Sequence, residues 1–436
     1  MKPVLIIGAG WAGIAAALTL RASQIPFRVF EAAPSPGGRA RSLPWQGQVL
    51  DNGQHLLIGA YHETLRLLAQ IGWQENEVLL RQPLTLTVRG ERDSLELRAP
   101  ALPAPLHLAA ALLSAGTLPW SERVAALRMA LRLQLSGYRL AQDISVRALL
   151  QQQRQGKKIS RLLWEPLCIA TLNTLPERAS GQVFLNVLRD SFGQAAGDSQ
   201  LLLPKVGLGE MFCERAMRYL NQGQADSVIL RQRVEALLVK DNTLRGLRVN
   251  GTQIDTEQLI LATAPEAAAR LCGEVPALQL LAAQITQLGS QPIVTAYLQY
   301  PPACRIPQVM LGLDGGIGQW LTDRRIAGQA GLIAVSISAE GPHMALDNTQ
   351  LCTRLHAEIG QHFPDWPEPE QCQVIREKRA TFDCRVGIQA LRPANQTPLP
   401  GLWLAGDYTA GDYPATLEGA VRSGVQCAQQ IIDSRK

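Results

Sequence analysis

Paired cysteines are what this chain of 436 residues most plainly lacks. Its eight Cys (168, 213, 272, 304, 352, 372, 384 and 427) are scattered, with no CxxC pair and no His at zinc-ligand spacing, and the six His are equally dispersed. That pattern excludes a zinc centre and a disulfide framework, and predicts reduced thiols in a cytosolic protein with no metal chemistry. Lysine is also scarce. It occurs at 2, 157, 158, 205, 240, 378 and 436 only, so 35 of the 42 basic residues are Arg. Arg suits phosphate, carboxylate and interfacial contacts, but no dense basic run is present, which argues against nucleic acid as a partner. There is no fixed-period repeat and no low-complexity tract. Nor is there an unbroken apolar span: the uncharged run from Ala99 to Ser121 carries Pro100, Pro103, Pro105 and Pro119, which would interrupt a spanning helix. The uncharged stretch from Pro3 to Leu20 has the look of a signal peptide, yet its glycines follow a different spacing and no small-residue cleavage site precedes Arg21.

What is present is material for a large interior. Hydrophobic residues are 46 % and charged residues 18 %, with a net charge of only +5, so the chain is long enough for two packed lobes. Val4-Leu5-Ile6-Ile7 reads as a buried strand, residues 11–23 as a helix, and Arg28-Val29-Phe30 as a second strand, so the opening is β-α-β. A helix is expected over 62–70, a hairpin from Thr85–Val88 to Leu95–Leu97 around Gly90, and helices onward to about 190. Strands follow within 228–263, with strands of another sheet at 292–298 and 331–338 and a helix over 347–363. Leu402-Trp403-Leu404-Ala405 is a buried strand before a closing helix from about 416 to 432. Nucleotide-type pieces thus stand at the start, middle and end, which predicts two discontinuous lobes.

The chemistry-bearing motif is Gly8-Ala9-Gly10-Trp11-Ala12-Gly13, a GxGxxG between strand and helix. Its first glycine permits the tight turn, its second lets a pyrophosphate meet the backbone, and its third lets helix and strand pack closely. Glu31 ends the second strand eighteen residues on, where an acid bonds ribose hydroxyls. Gly37-Gly38-Arg39 brings a second glycine pair and a guanidinium to the phosphates. Gly406-Asp407 follows the last buried strand, where the carboxylate would meet ribityl hydroxyls and the next helix would aim its N-terminus at a flavin.

These motifs, together with Glu418-Gly419-Ala420, resemble the FAD-dependent amine oxidase and phytoene desaturase superfamily. Four stretches narrow the resemblance to its squalene-associated branch, the hydroxysqualene dehydroxylases of hopanoid synthesis: 51–55, 168–174, 184–190 and 414–424. The resemblance spans essentially the whole chain. It implies an α/β fold: a Rossmann-like FAD-binding lobe, assembled from 1–75, 196–270 and 396–436, and an α+β substrate lobe on an antiparallel sheet, from 76–195 and 271–395. It implies FAD in an extended pose, with Gly8, Gly10, Ala12 and Gly13 at the pyrophosphate, Glu31 on the ribose, Gly38 and Arg39 at the phosphates, and Gly53 and Gln54 beside the flavin. Val234 would meet adenine through its backbone, Gly406 and Asp407 the pyrophosphate and ribityl chain, and Leu417 the isoalloxazine. One departure is Ala32-Ala33-Pro34, where many amine oxidases carry an Arg, so Arg39 and backbone amides must balance the phosphates.

The family reaction removes the allylic hydroxyl of hydroxysqualene to leave squalene. Protonation makes water the leaving group, and reduced flavin delivers hydride from N5. An oxidative polyene desaturase, a flavin amine oxidase and a non-catalytic flavin-binding protein are the competing readings, and aromatics at 5 % speak against an amine-selecting aromatic cage. His55 either donates the proton or orders its loop. Tyr413 either lines the pocket or packs, and Lys205 either approaches N5 or serves the lobe junction. Val124, Leu127, Leu131 and Leu135 form a helical stripe beside Arg128, Arg132 and Arg139, after the apolar run 106–113. This stripe either faces the core or attaches the protein to the cytoplasmic membrane face, where an insoluble isoprenoid would be collected. The electron donor is left open.

Overall fold

The computed structural model describes residues 2–192, 195–222 and 227–435. Val4–Ile7 lies at the centre of a five-stranded parallel sheet, between Phe27–Phe30 and Leu259–Leu261; Val228–Ile229 and Leu402–Leu404 are the edges. Leu5 stands opposite both Arg28 and Leu259. Because the strand is buried along its whole length, all four of its residues are aliphatic. Helix Trp11–Ala22 and the closing helix Leu417–Ser434 pack together against this sheet. The middle segment adds an antiparallel meander, Val234–Lys240, Thr243–Val249 and Thr252–Asp255.

The other lobe is built on seven strands in the order Gln371–Thr381, Gln291–Gln299, Leu332–Ser338, Trp320–Asp323, Met310–Leu313, Thr85–Arg89, Ser94–Arg98. Every pairing is antiparallel except that of Met310–Leu313 with Thr85–Arg89. Helices between Leu106 and Phe192 cover this lobe. Leu201–Pro204 pairs with both Leu57–Ile58 and Leu79–Gln82, stitching the early segments to the middle one.

The expectation of reduced thiols needs one correction. Cys352, on helix Asn348–His362, is disulfide-bonded to Cys372, on the edge strand, with Cα atoms 6.3 Å apart. Twenty residues separate the two in a chain with no cysteine framework, so only the packing of helix on strand reveals the pair. The other six thiols are free and buried.

Candidate active site

The glycine turn at the C-terminal end of the first strand is determined by crowding on one side and openness on the other. Gly8 has φ +102°, and a Cβ there would sit 2.6 Å from the Ala262 carbonyl; at Gly13 it would sit 1.9 Å from the Gly8 carbonyl. No larger residue fits either place. Around Gly10 there is nothing within 4 Å of such an atom, so its backbone lies bare to the adjoining cavity. Helix Trp11–Ala22 starts from Gly10 with no side-chain cap and no acid in its first turn. Its first N–H groups and positive end are therefore free for an anion. Glu31 is held at the rim, Oε2 accepting from Ala9 N at 2.7 Å and Oε1 from Ala33 N at 2.8 Å.

One continuous cavity of about 1020 Å³ runs from this turn into the second lobe. Gly8, Gly10, Ala12, Glu31, Gly38, Arg39, Gly53, Gln54, His55, Val234, Gly406, Asp407 and Leu417 all line it. Gly13 does not; it is the packing position beneath the turn. Lys205 is absent from the walls too, its Nζ donating to the Asn76 carbonyl at the surface.

Arg39 lines the cavity with its guanidinium held by the protein itself. Its guanidinium donates to Asp407 Oδ1 at 2.5 Å and to the Ala380 carbonyl at 2.6 Å. Asp407 is buried and needs a cationic partner. Burial opposes the charged form of Arg39, but Asp407, with Glu266 and Glu377, outweighs it and holds the guanidinium above its usual value. Arg41, which sequence reasoning missed, also lines the cavity. It donates to the Gly38 carbonyl and makes no ion pair among the described residues. Its one signal was its position two residues beyond the Gly-Gly-Arg turn.

Beneath Gly53-Gln54-His55 lies a buried polar platform. Asp51 pairs with Arg324 at 3.1 Å and also accepts from Ser42 Oγ and Leu208 N. Gln54 donates to Tyr297 Oη, which donates in turn to the Asp51 carbonyl. The His55 ring is buried within electrostatic reach of Asp51 and Arg39. Burial and, secondarily, Arg39 press its pKa down to about 4 against the pull of Asp51, so the imidazole is neutral near pH 7 and is no imidazolium donor there.

The far half of the cavity is apolar, with Leu84, Leu108, Leu112, Leu133, Trp164 and Leu167 among its walls. The closing helix starts at the Thr416 cap, whose Oγ accepts from Gly419 N at 3.1 Å, and Leu417 lines the cavity. Fully buried Glu418 ties that helix down, accepting from Thr64 N, Thr64 Oγ and Arg422 Nε.

The model of the family described as flavin containing amine oxidoreductase matches residues 11–432. The chain belongs to that family. It is 29 % identical to the hydroxysqualene dehydroxylase of Rhodopseudomonas palustris, over 99 % of this chain and 98 % of that protein. It is 24 % identical to the 15-cis-phytoene desaturase of Solanum lycopersicum, over 98 % of this chain and 77 % of that one. A solved oxidoreductase structure from Methanosarcina mazei superposes with a TM-score of 0.77 at 17 % identity, over 99 % of this chain and all of that one. The expected fold is thereby borne out. The protein is an FAD-dependent oxidoreductase. Bare backbone at Gly10, an uncapped helix N-terminus and a fixed acid at Glu31 are a donor set that fits a dinucleotide.

Proposed function

We propose that the protein reductively removes the allylic hydroxyl of hydroxysqualene, giving squalene, in isoprenoid synthesis of the hopanoid type. The observation that carries this reading is one continuous cavity whose polar half suits FAD and whose other half has mainly apolar walls, in a chain similar along its length to a hydroxysqualene dehydroxylase. FAD would be held by the 8–13 turn and the helix behind it, by Glu31 and Val234 at the adenosine end, by Gly38 and Arg41 near the phosphates, and by Asp407 and Leu417 at the flavin end. Arg39 fixes the Asp407 carboxylate rather than facing a phosphate. When bound and reduced, FAD supplies the hydride equivalent that fills the allylic carbon. The apolar walls hold the polyene, exclude water and leave the departing hydroxyl as the one polar group to be served. The neutral His55 and the Gln54 side chain define the face of the cavity over the Asp51–Arg324 platform.

Collection from a membrane surface belongs to the same reading. Among the described residues, six of the eleven exposed large apolar side chains fall between Leu102 and Leu135: Leu102, Leu106, Leu113, Trp120, Leu131 and Leu135. On helix Trp120–Leu135 the core-facing side is Ala126, Met129 and Leu133. The stripe Val124–Leu127–Leu131–Leu135 runs instead from half-buried to 80 % exposed at Leu135, with Arg128 and Arg132 exposed beside it. Leu127 and Leu131 also line the cavity. An apolar, Arg-rimmed surface at the mouth of a lipid chamber suits an interfacial segment. No helix among the described residues is long and apolar enough to cross a membrane. Anaerobic incubation of the FAD-reduced protein with hydroxysqualene tests the reaction: squalene supports it, and oxidation of a polyene by the oxidised protein instead favours a desaturase.

A further inference from the structure

A second cavity, of about 520 Å³, lies against the first and is lined mainly by polar and charged side chains. Its lining includes Arg189, Arg392, Arg422, His62 and Asp198, and it shares Asp190, Asp412 and Tyr413 with the flavin-and-substrate cavity. These three residues are therefore the partition between a polar chamber and an apolar one. The partition is built rigidly. Arg392, itself buried, donates to the carbonyls of Gly411, Tyr413 and Asp407. Asn186 donates to the Asp412 carbonyl, and Arg189 bridges the Asp190 and Asp412 carboxylates at 2.6 and 3.0 Å.

Two polar groups of the partition have unused hydrogen-bonding capacity among the described residues. The Tyr413 hydroxyl makes no hydrogen bond with any described residue. Asp190 accepts one, from Arg189 Nε, and its other oxygen accepts none among the described residues. The guanidinium of Arg422 lies over the Tyr413 ring, 4.7 Å from its centre. Burial holds the phenol above its usual value, aided by Asp190 and Glu418 and opposed by Arg422 and Arg189, so the proton stays on at neutral pH.

Resting on the dehydroxylation reading, we propose that Tyr413 is the proton donor of the reaction and that Asp190 returns the proton to it from the polar cavity. The Tyr413 O–H bond breaks as its proton passes to the substrate hydroxyl. The C–O bond then breaks with its electron pair on oxygen, so that water leaves, and the hydride equivalent from reduced FAD fills the carbon. One proton and one hydride are consumed for one water released. The phenolate, stabilised by Arg422 above its ring, is reprotonated through Asp190 from water in the polar cavity, which is also the exit for the water produced. A polar path apart from the membrane-side mouth lets the apolar chamber stay closed to bulk water while protons are exchanged.

The test uses FAD-loaded protein. Tyr413→Phe keeps the ring and its contact with Arg422, and should lower the single-turnover rate of squalene formation at least about 100-fold with FAD content and flavin absorbance unchanged. Asp190→Asn should slow it as well, and Asp190→Glu should restore part of the loss. Independently of turnover, a water-soluble carbodiimide with glycinamide should amidate Asp190, together with the exposed Asp412, while fully buried Glu418 stays unlabelled. Turnover of Tyr413→Phe within threefold of the parent, or Asp190 unlabelled when Asp412 is labelled, overturns the proposal. Failure of the parent protein to form squalene overturns the dehydroxylation reading and this inference together.

Discussion

Asp51 and Arg324 meet across 273 residues of sequence as a buried ion pair, Oδ2 to Nη1 3.1 Å, with side chains 2 % and 4 % exposed. Asp51 ends the two-stranded hairpin Ser42–Trp45/Gln48–Asp51, and Arg324 lies on a turn beside the seven-stranded sheet. The pair thus ties that hairpin to the larger sheet, and Arg324 also donates to Gln54 Oε1.

Breaking it from one side should cost far more than removing it. Arg324→Met leaves the Asp51 charge buried and should lower stability by about 3–5 kcal/mol, read as a urea midpoint shift. The double variant Asp51→Leu/Arg324→Met should recover a substantial part of that loss. Additive effects would show that the two residues are not coupled.

The glycine turn separates folding from cofactor binding. Gly13→Ala forces an atom into the Gly8 carbonyl and should destabilise the protein with or without FAD. Gly10→Ala adds a Cβ with nothing within 4 Å of it, so the apoprotein should unfold at an unchanged temperature while FAD affinity falls at least about tenfold, roughly 1.4 kcal/mol. Equal stability losses for the two variants would contradict this division.

His55 should leave a signature in the pH dependence of the apoprotein. Its folded pKa, about 4, lies below the unfolded value near 6.5. The unfolded chain therefore binds more protons between those values, and the stability held above about pH 6.5 is lost as pH falls toward 4. Between pH 7.5 and 5 this one residue should contribute about 2 kcal/mol of loss. His55→Gln should flatten the profile by that amount, although His107, His343 and His362, also lowered chiefly by burial, keep their own shares. An unchanged profile in His55→Gln would show that the fold does not lower the pKa of the ring.

Local chemistry is what sequence revealed best. Val4–Ile7, the glycine turn, Glu31 and the closing helix were readable because hydrophobic runs, turn glycines and caps act over a few residues. The strand Gln371–Thr381 was not readable: QCQVIREKRAT alternates poorly, because it is an edge strand whose outer side chains are ionic. The hairpin Ser42–Trp45 to Gln48–Asp51 was hidden by Pro44. The Cys352–Cys372 bridge, the Asp51–Arg324 pair and the turning of Arg39 toward Asp407 join residues whose proximity only the packed lobes create. The outward face of helix Trp120–Leu135 could not be told from a core face by periodicity, since both faces carry apolar residues at helical spacing.

Membrane attachment predicts a clean separation of binding from folding. Leu131→Ser/Leu135→Ser and Arg128→Glu/Arg132→Glu should each abolish co-sedimentation with anionic phospholipid vesicles, with melting temperature unchanged because these side chains are exposed. Full vesicle binding by both variants would assign the surface no such role.

The central claim is most directly tested by one anaerobic turnover. Protein carrying chemically reduced FAD is mixed with hydroxysqualene in deuterated and ordinary water, and the extracted product is weighed by mass spectrometry. Squalene formed in step with flavin reoxidation is the result expected; unchanged hydroxysqualene with the flavin still reduced would contradict the account.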